Sequence, residues 1–173
     1  MILAFDTYYF EDKAKTVCVA FEQWKDEKPI EIYEEIISGV EEYEPGAFYK
    51  RELPCIMSLL QKIAIVKIDC IVVDGFVVLD DLGKNGLGGY LYELLEEKIP
   101  IVGVAKSGFR DNQKHVLKLY RGGSVKPLFI TAKGVNLDKA FDCIASMHGK
   151  YRNPTILQIL DTKTKENCKV KND

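Results

Sequence analysis

The chain has 173 residues, of which 47% are hydrophobic and 29% are charged. This size predicts one domain with a single hydrophobic core, and this composition excludes the disordered and fibrous classes. The net charge of −2 is unevenly divided: residues 1–100 carry 10 Lys and Arg against 20 Asp and Glu, whereas residues 101–173 carry 14 against 6. A basic half can bind the phosphates of a nucleic acid, and an acidic half can bind cations. The alternative is that the two halves form solvated faces of opposite charge without a bound partner.

The apolar segments and the cysteines indicate the cellular compartment of the protein. The richest apolar run, residues 70–79, is broken by Asp74 and is shorter than the roughly 18–20 residues that cross a membrane. The N-terminal sequence MILAFD has no basic region before its apolar residues, which argues against a secretory signal. The five cysteines form no CxxC pair, so reduced and mostly buried thiols are favoured over a metal or disulfide site. We therefore expect a cytoplasmic protein that does not enter the membrane.

The first half of the chain predicts three strands and a helix. The strands are rich in aliphatic and aromatic residues, and the charged turn EDKAK separates the first two as in a hairpin. Apolar spacing predicts a helix from Pro54 to about Val66, with the proline near the first turn, where its missing N–H costs nothing. The three predicted strands cover residues 1–10, 16–24 and 29–38.

The second half predicts a buried centre flanked by helices. Residues 69–76 form a near-continuous apolar run, typical of a strand that is buried on both faces. The later elements are a helix at 86–98, a strand at 99–107, strands at 115–121 and 126–132, and a helix at 136–149. This order predicts an α/β protein with an RNase H-like mixed sheet: an antiparallel edge, a parallel centre and helices on both faces. We assign residues 1–160 to one domain and residues 161–173 to a polar, basic tail that frays.

Two carboxylates interrupt strands that this fold places side by side. Asp6 lies inside the first strand and Asp74 ends the fourth, so both reach the middle of the sheet. Like charges buried together are costly, and Mg²⁺, normally bound by carboxylates, water and a substrate phosphate, removes that cost. A turn at Asp74-Gly75 and a helix N-terminus at Glu52 are the alternatives for those two residues. Asp6 is harder to explain otherwise, because Asp is disfavoured inside strands.

Three linked motifs carry a resemblance to a known family. Residues 43–54 read YEPGAFYKRELP, residues 72–76 read VVDGF and residues 100–107 read PIVGVAKS. In this order and at these spacings they resemble the endonuclease V family, which has a Tyr-x-Pro-Gly segment followed by Arg-Glu-x-Pro, an Asp-Gly strand end and a Gly-Val-Ala-Lys-Ser strand. The resemblance runs from about Asp6 through Lys106 and continues more weakly to YRNPT at 151–155.

The resemblance implies an active site built from four residues. Asp6, Glu52 and Asp74 match the family's metal-binding and catalytic carboxylates, and Lys106 matches its active-site lysine. The implied reaction is the Mg²⁺- or Mn²⁺-dependent hydrolysis of a phosphodiester bond near a deaminated base, hypoxanthine or inosine. The implied partner is therefore DNA or RNA, and the lysine contacts a phosphate oxygen as a point charge.

The loop before the first predicted helix is implied to contact the substrate. Tyr43 matches an aromatic wedge that enters the nucleic-acid strand beside the deaminated base, and a ring stacked on a base contributes roughly 1–3 kcal/mol. Pro45 and Gly46 would shape the turn so that this ring projects outward. Gly75, at the strand end after Asp74, is the remaining residue that is expected to contact the substrate.

Two positions depart from the family pattern. Asp80 and Val135 stand where family members usually carry histidines, so a metal ligand or a general base is missing along with a basic phosphate contact. Asp80 can replace one histidine as an oxygen ligand. His115 and His148 do not occupy the family positions and are expected outside the site. The alternative function is therefore a nucleic-acid-binding module with the same fold and impaired catalysis, and a structural or protein-interaction domain is a third possibility.

The glycine-rich segment GKNGLGG, residues 83–89, precedes a predicted helix, a position at which glycine-rich turns bind phosphates. Its spacing fits neither GxGxxG nor the P-loop. Close packing of the following helix on the sheet is the better account.

Overall fold

The chain folds into seven strands and four helices within the ranges that the computed structural model describes, residues 1–39, 48–64, 67–109 and 111–168. The strands are β1 (Ile2–Phe10), β2 (Lys13–Phe21), β3 (Glu31–Ser38), β4 (Cys70–Asp74), β5 (Ile101–Ala105), β6 (Leu117–Leu119) and β7 (Leu128–Lys133). The helices are α1 (Phe48–Lys62), α2 (Leu87–Leu94), α3 (Leu137–Ser146) and α4 (Thr155–Lys165). None of these helices is both long enough and apolar enough to span a membrane.

The strands form one mixed sheet in the order β3-β2-β1-β4-β5-β7-β6. Strands β1, β4 and β5 run parallel at the centre, and every other neighbouring pair is antiparallel. This is the RNase H-like arrangement, so the predicted fold class is confirmed. The sheet has an antiparallel region at both edges, because β6 and β7 pair with each other beyond β5.

Helices cover both faces of the sheet because side chains of the central strands alternate between two cores. In β1, Ile2 and Ala4 belong to the core shared with α3 and α4, whereas Leu3 and Phe5 belong to the core shared with α1 and α2. All four side chains are buried. The central strands are thus covered on both sides, which explains their near-continuous apolar sequence.

The first hairpin and the first helix begin earlier than predicted. β2 begins at Lys13 because Glu11 and Asp12 alone make the turn, with Glu11 at a φ of +52°. α1 begins at Phe48, so Pro54 lies inside the helix instead of near its first turn. Pro54 has no N–H to donate, and the helix continues through it. Glu52 is therefore a helical residue.

Helix α4 extends into the predicted tail. It continues to Lys165, so its last residues lie beyond position 160. Thr164 is fully buried and Cys168 is buried, because this end of α4 packs on β1 and β2. Residues 161–168 are therefore held by tertiary packing, although their sequence is polar.

Close packing explains the glycine-rich segment before α2. A Cβ atom on Gly88 would come within 2.7 Å of a Val77 methyl carbon and 3.1 Å of an Ile101 methyl carbon. Real Cβ atoms essentially never come as close as 2.7 Å to a neighbour, so glycine lets α2 lie this near to the sheet. This agrees with the packing interpretation of GKNGLGG.

All five cysteines are free thiols. Four are buried, namely Cys18, Cys55, Cys70 and Cys168, and Cys143 on α3 is partly exposed. The prediction that the thiols are mostly buried is confirmed.

Candidate metal centre

Strand pairing brings Asp6 and Asp74 together. β1 and β4 are parallel neighbours whose register pairs Phe5 with Val73, so the residues that follow are also adjacent. The alternation of side chains along both strands places Asp6 and Asp74 on the face that carries α4. The predicted approach of these two carboxylates is confirmed.

A third carboxylate, Asp161 of α4, joins them, and the sequence analysis does not include it. One oxygen from each of Asp6, Asp74 and Asp161 lies within 4.8 Å of the others. The buried positions of α4 recur every four residues, at Ile156, Leu160 and Thr164. This buried stripe fixes the rotation of the helix, so that Asp161 points to the ends of the central strands.

Two lysines neutralise part of this charge. Nζ of Lys106, directly after β5, lies 2.7 Å from Oδ2 of Asp74 and 3.1 Å from Oδ1 of Asp161. Nζ of Lys165, one turn along α4, lies 2.7 Å from the other oxygen of Asp161. Burial favours the neutral amine of Lys106, but hydrogen bonds and attraction from the two carboxylates outweigh it and raise the lysine pKa. Burial also opposes ionisation of Asp161, yet the two lysines lower its pKa.

Asp6 is held between β1 and α4. Its Oδ1 accepts a hydrogen bond from the backbone N–H of Thr7 at 2.9 Å, and its Oδ2 accepts one from the hydroxyl of Thr164 at 3.2 Å. Burial, followed by the nearby charge of Asp74, raises the pKa of Asp6 from 3.8 to about 6. A cation beside these carboxylates would oppose this shift, because positive charge favours the ionised form.

A cavity of about 20 Å³ lies between these groups. Its polar wall consists of Asp6, Asp74, Lys106, Asn153 and Asp161. This volume accommodates one small ion or water molecule. Carboxylate oxygens are the donors that Mg²⁺ prefers, so both the size and the chemistry of the cavity fit a divalent cation.

Glu52 approaches from the other face of the sheet. It lies on α1, is only 1% exposed, and its Oε2 has no hydrogen-bond partner among the described residues. Burial, followed by the charges of Asp6 and Asp74, raises the pKa of Glu52 well above its usual value. Glu52 is not part of the group of oxygens within 4.8 Å. The fold thus brings Glu52 near Asp6 and Asp74 without adding it to the aspartate cluster.

The structure describes one of the four residues that are predicted to contact the substrate. Tyr43, Pro45 and Gly46 lie outside the described residues. Gly75 directly follows Asp74, and its N–H donates to the carbonyl of Val104 at 3.2 Å. This bond ties the end of β4 to β5, so Gly75 borders the carboxylate cluster.

Asp80, the first departure from the family pattern, stabilises a turn. Its Oδ1 accepts hydrogen bonds from the backbone N–H groups of Leu82 and Lys84, at 3.0 and 2.9 Å. Asp80 is not a member of the aspartate cluster, so it does not serve there as the expected replacement ligand. His115 and His148 are exposed and are also outside the cluster, as expected.

Val135, the second departure, lies at the other end of the sheet. It follows β7, whose Lys133 pairs with Ile101 at the start of β5, and it lines a groove with Pro100. Lys106 follows the opposite end of β5, roughly 15 Å away, which is the length of a five-residue strand. Valine at this position therefore removes no ligand from the carboxylate cluster.

The fold and this centre define an RNase H-like domain with carboxylates gathered at neighbouring central strands. The sequence as a whole specifies the family, because the family model described as Endonuclease V matches residues 1–162. The chain therefore belongs to the endonuclease V family, a family of nucleases, and the resemblance carried by the three motifs is confirmed. No curated protein matches the chain significantly in sequence.

Solved endonuclease V structures share this fold. The protein from Streptomyces avermitilis has a TM-score of 0.73 at 23% identity, and the match covers 95% of this chain and 79% of the other. Human ENDOV has a TM-score of 0.73 at 20% identity, with 96% and 83% covered. Ciona intestinalis endonuclease V, in complex with a 24mer DNA containing an inosine followed by a ribo-adenosine, has a TM-score of 0.79 at 17% identity, with 95% and 84% covered. At these identities the likeness establishes the fold.

Proposed function

We propose that this protein is a metal-dependent endonuclease that hydrolyses phosphodiester bonds near deaminated bases, hypoxanthine or inosine, in DNA or RNA. The observation that carries the proposal is the meeting of Asp6, Asp74 and Asp161 within 4.8 Å, from three elements far apart in the sequence. Membership of the endonuclease V family supports nuclease chemistry. The inosine-containing DNA bound by the Ciona intestinalis relative supports the choice of substrate.

Asp6, Asp74 and Asp161 would hold the divalent cation, Mg²⁺ or Mn²⁺, with Glu52 beside them. When bound, the cation supplies positive charge that polarises a phosphate and acidifies a water molecule. The unpartnered Oε2 of Glu52 supports this assignment, because a buried carboxylate is costly unless a proton or a cation satisfies it. Burial and the charges of Asp6 and Asp74 raise the pKa of Glu52 well above its usual value, so without a cation its ionised form is disfavoured.

Lys106 would hold the scissile phosphate. Its raised pKa keeps Nζ protonated at neutral pH, so this lysine is suited to contact a phosphate oxygen and not to accept a proton. Nζ already lies 2.7 Å from Asp74, and a phosphate held by Lys106 would therefore border the carboxylates.

The strand would be opened by Tyr43, with Pro45 and Gly46 shaping its loop and Gly75 lining the path beside Asp74. The support for these roles is the family motif at residues 43–54 together with the position of Gly75 next to the cluster.

The decisive test is cleavage of a single-stranded oligonucleotide that contains one inosine, in Mg²⁺ and in Mn²⁺. We expect nicking by the wild-type protein and a loss of at least about 100-fold in rate for Asp74→Asn. The matched control is Asp142→Asn, because Asp142 is exposed on α3 and should leave the rate unchanged. Equal rates for wild type and Asp74→Asn would reject the proposal.

A nucleic-acid-binding module without turnover is the second candidate. It is favoured by the ion pairs of Lys106 with Asp74 and Asp161, because they stabilise the cluster without a cation. Strand binding without cleavage in either metal, by a protein that melts cooperatively, would select this function.

A further inference from the structure

Two segments of the basic half contain cations and no carboxylates. Residues 112–137 contain five Lys and Arg, residues 143–160 contain two, and neither segment contains Asp or Glu. The first includes the turn between β6 and β7, and the second includes the connection between α3 and α4. The fold brings these two connections together, so their positive charges add.

Arg121 joins the two connections. Its guanidinium donates to the backbone carbonyls of Met147, Gly149, Tyr151 and Arg152, at 2.6 to 3.3 Å. Four bonds from one side chain hold the α3–α4 connection in a single conformation. The acceptors are neutral carbonyls, so the positive charge of Arg121 is not cancelled by a carboxylate.

Arg152 connects this region to the metal centre. Its guanidinium donates to the backbone carbonyl of Lys106 and, at 2.6 Å, to that of Pro127. The next residue, Asn153, lines the cavity between Asp74 and Asp161. The basic region and the carboxylate cluster therefore share one continuous surface at the same end of the sheet.

Exposed side chains complete this surface. Tyr151 is 58% exposed, and Nζ of Lys150 lies 5.4 Å from the centre of its ring. Lys126 is exposed as well, and neither it nor Lys150 forms an ion pair with any residue that the structure describes. We name the set Arg121, Lys126, Lys150, Tyr151 and Arg152 the basic platform.

We propose that the basic platform binds the single-stranded flank of the nucleic acid that enters the metal centre, a few nucleotides from the scissile bond. Lys126 and Lys150 would contact phosphates, and the exposed ring of Tyr151 would stack on one base. A single strand fits this surface better than a duplex, because only an unpaired base offers its face to a ring. This inference rests on the proposed function and adds a second binding site for the nucleic acid.

Binding can be measured apart from cleavage in an Asp74→Asn background, by fluorescence anisotropy with a labelled, single-stranded, inosine-containing oligonucleotide. The platform variant carries Lys126→Gln, Lys150→Gln and Tyr151→Ala. We expect its affinity to fall about 10-fold or more. Between about 50 and 200 mM KCl, the slope of log affinity against log salt should shrink by about 1.4, or 0.7 for each lysine.

The matched control carries Lys67→Gln, Lys98→Gln and Leu94→Ala. These exposed residues precede the starts of β4 and β5, at the end of the sheet opposite Asp74 and Lys106. The control should keep the parent affinity and salt slope, and both variants should melt within about 2 °C of the parent, because no altered side chain is buried.

An unchanged affinity and salt slope in the platform variant would overturn the inference. So would equal competition by the oligonucleotide and by polyglutamate, because the platform would then be a general surface for acidic proteins. Cleavage distinguishes this result from failure of the proposed function. If the platform variant in the otherwise wild-type chain nicks inosine oligonucleotides normally, the platform inference is wrong and the proposed nuclease function is retained. If the wild type nicks nothing but the platform variant loses binding, the proposed nuclease function is wrong and the platform inference is retained.

Discussion

Three aspartates that face one another repel, and two single-residue features limit this repulsion when no cation is bound. Lys106 places its ammonium between Asp74 and Asp161. Asp6 instead binds a proton more readily than an ordinary aspartate, because burial and the charge of Asp74 raise its pKa to about 6. A divalent cation would take over both roles, so metal affinity, protonation of Asp6 and the position of Lys106 are linked.

The raised pKa of Asp6 predicts how the metal-free protein responds to pH. The folded protein holds this proton more tightly than the unfolded chain, since the pKa rises from 3.8 to about 6 on folding. The contribution of Asp6 to stability is therefore complete below about pH 4 and is lost as the pH rises to about 6. In EDTA, Asp6→Asn should raise the Tm by about 3 °C at pH 7.5 and hardly at all at pH 4.

Calorimetry across this pH range provides the measurement, with Asp142→Asn as the exposed control whose Tm should follow the wild type throughout. A Tm difference for Asp6→Asn that does not vary with pH would contradict the assigned proton.

Lys106 should compete with the cation while it assists the reaction. Removing its charge in Lys106→Met should tighten Mg²⁺ binding about 5-fold, because one positive charge near the cluster no longer opposes the ion. The cleavage rate should nevertheless fall about 100-fold, because the phosphate loses its partner. Calorimetric titration of Mg²⁺ and single-turnover kinetics separate the two effects.

Lys165→Met is the matched control for Lys106, since among the described carboxylates Lys165 pairs with Asp161 and not with Asp74. It should change Mg²⁺ affinity less and leave the cleavage rate within a few fold. Weaker Mg²⁺ binding by Lys106→Met would mean that this lysine orders the carboxylates and does not compete with the ion.

At the scale of elements, α4 determines the geometry of the centre. It carries Asp161, and its Thr164 donates to Oδ2 of Asp6 at 3.2 Å. The end of the helix is fixed by Lys15 of β2, which is 3% exposed and donates to the carbonyl of Glu166 at 3.1 Å. A helix held at this end presents Asp161 to the strands with little freedom.

Loss of the Thr164 hydroxyl should loosen this arrangement. The hydroxyl is fully buried and reaches the carbonyl of Asp161 at 3.0 Å as well as Asp6. Thr164→Val should therefore lower stability by about 1–2 kcal/mol, which lowers the Tm by about 2–8 °C. In Thr162→Val the lost hydroxyl is exposed and donates to the backbone carbonyl of Gln158 within its own helix, so the Tm should stay within about 1 °C of the wild type.

The order of the elements through α3 and the pairing of β1 with β4 could be predicted, because apolar patterning reports directly on burial, whereas helix α4 was not predicted. Asp161 could not be predicted, because it begins the polar run DTKTKEN and no apolar pattern follows it. The usable signal was the spacing of Ile156, Leu160 and Thr164, four residues apart, which places Asp161 beside a buried stripe. The sequence alone would assign Thr164 to the surface, because its partner Asp6 is known only from the structure.

The place of Val135 also could not be predicted from spacing. Its position relative to the carboxylates depends on β7 running antiparallel to β5, which puts the end of β7 beside the start of β5. A parallel strand would have carried the same residue to the metal centre. Strand direction, which a single sequence does not state, therefore decided whether this departure from the family pattern affects catalysis.

At the scale of the whole molecule, the division of charge along the sequence has a spatial meaning. The acidic first 100 residues supply Asp6, Glu52 and Asp74, and the basic remainder supplies Lys106 and the basic platform together with the third aspartate, Asp161. The fold brings both halves to one end of the sheet. The proposed cation ligands and the proposed phosphate contacts are thus neighbours, as the proposed hydrolysis of a nucleic-acid backbone requires.

Metal addition should stabilise the entire fold, because the ligands come from β1, β4 and α4. At a Mg²⁺ concentration 100 times the Kd, binding adds about 2.7 kcal/mol, which raises the Tm by about 5–10 °C. Asp74→Asn should abolish this rise and Asp142→Asn should keep it, as followed by thermal melting with and without EDTA. The same rise in Asp74→Asn would place the ion elsewhere.

The buried thiols have a practical consequence for experiments in air. Burial raises the pKa of Cys18 and raises that of Cys70 to about 12, so almost no thiolate is present to oxidise or to be alkylated. Cys143 is the one partly exposed thiol, and it lines the groove near Pro100, at the end of the sheet away from Lys106. A maleimide dye should therefore couple to Cys143 first and report on the folded molecule without obstructing the carboxylates.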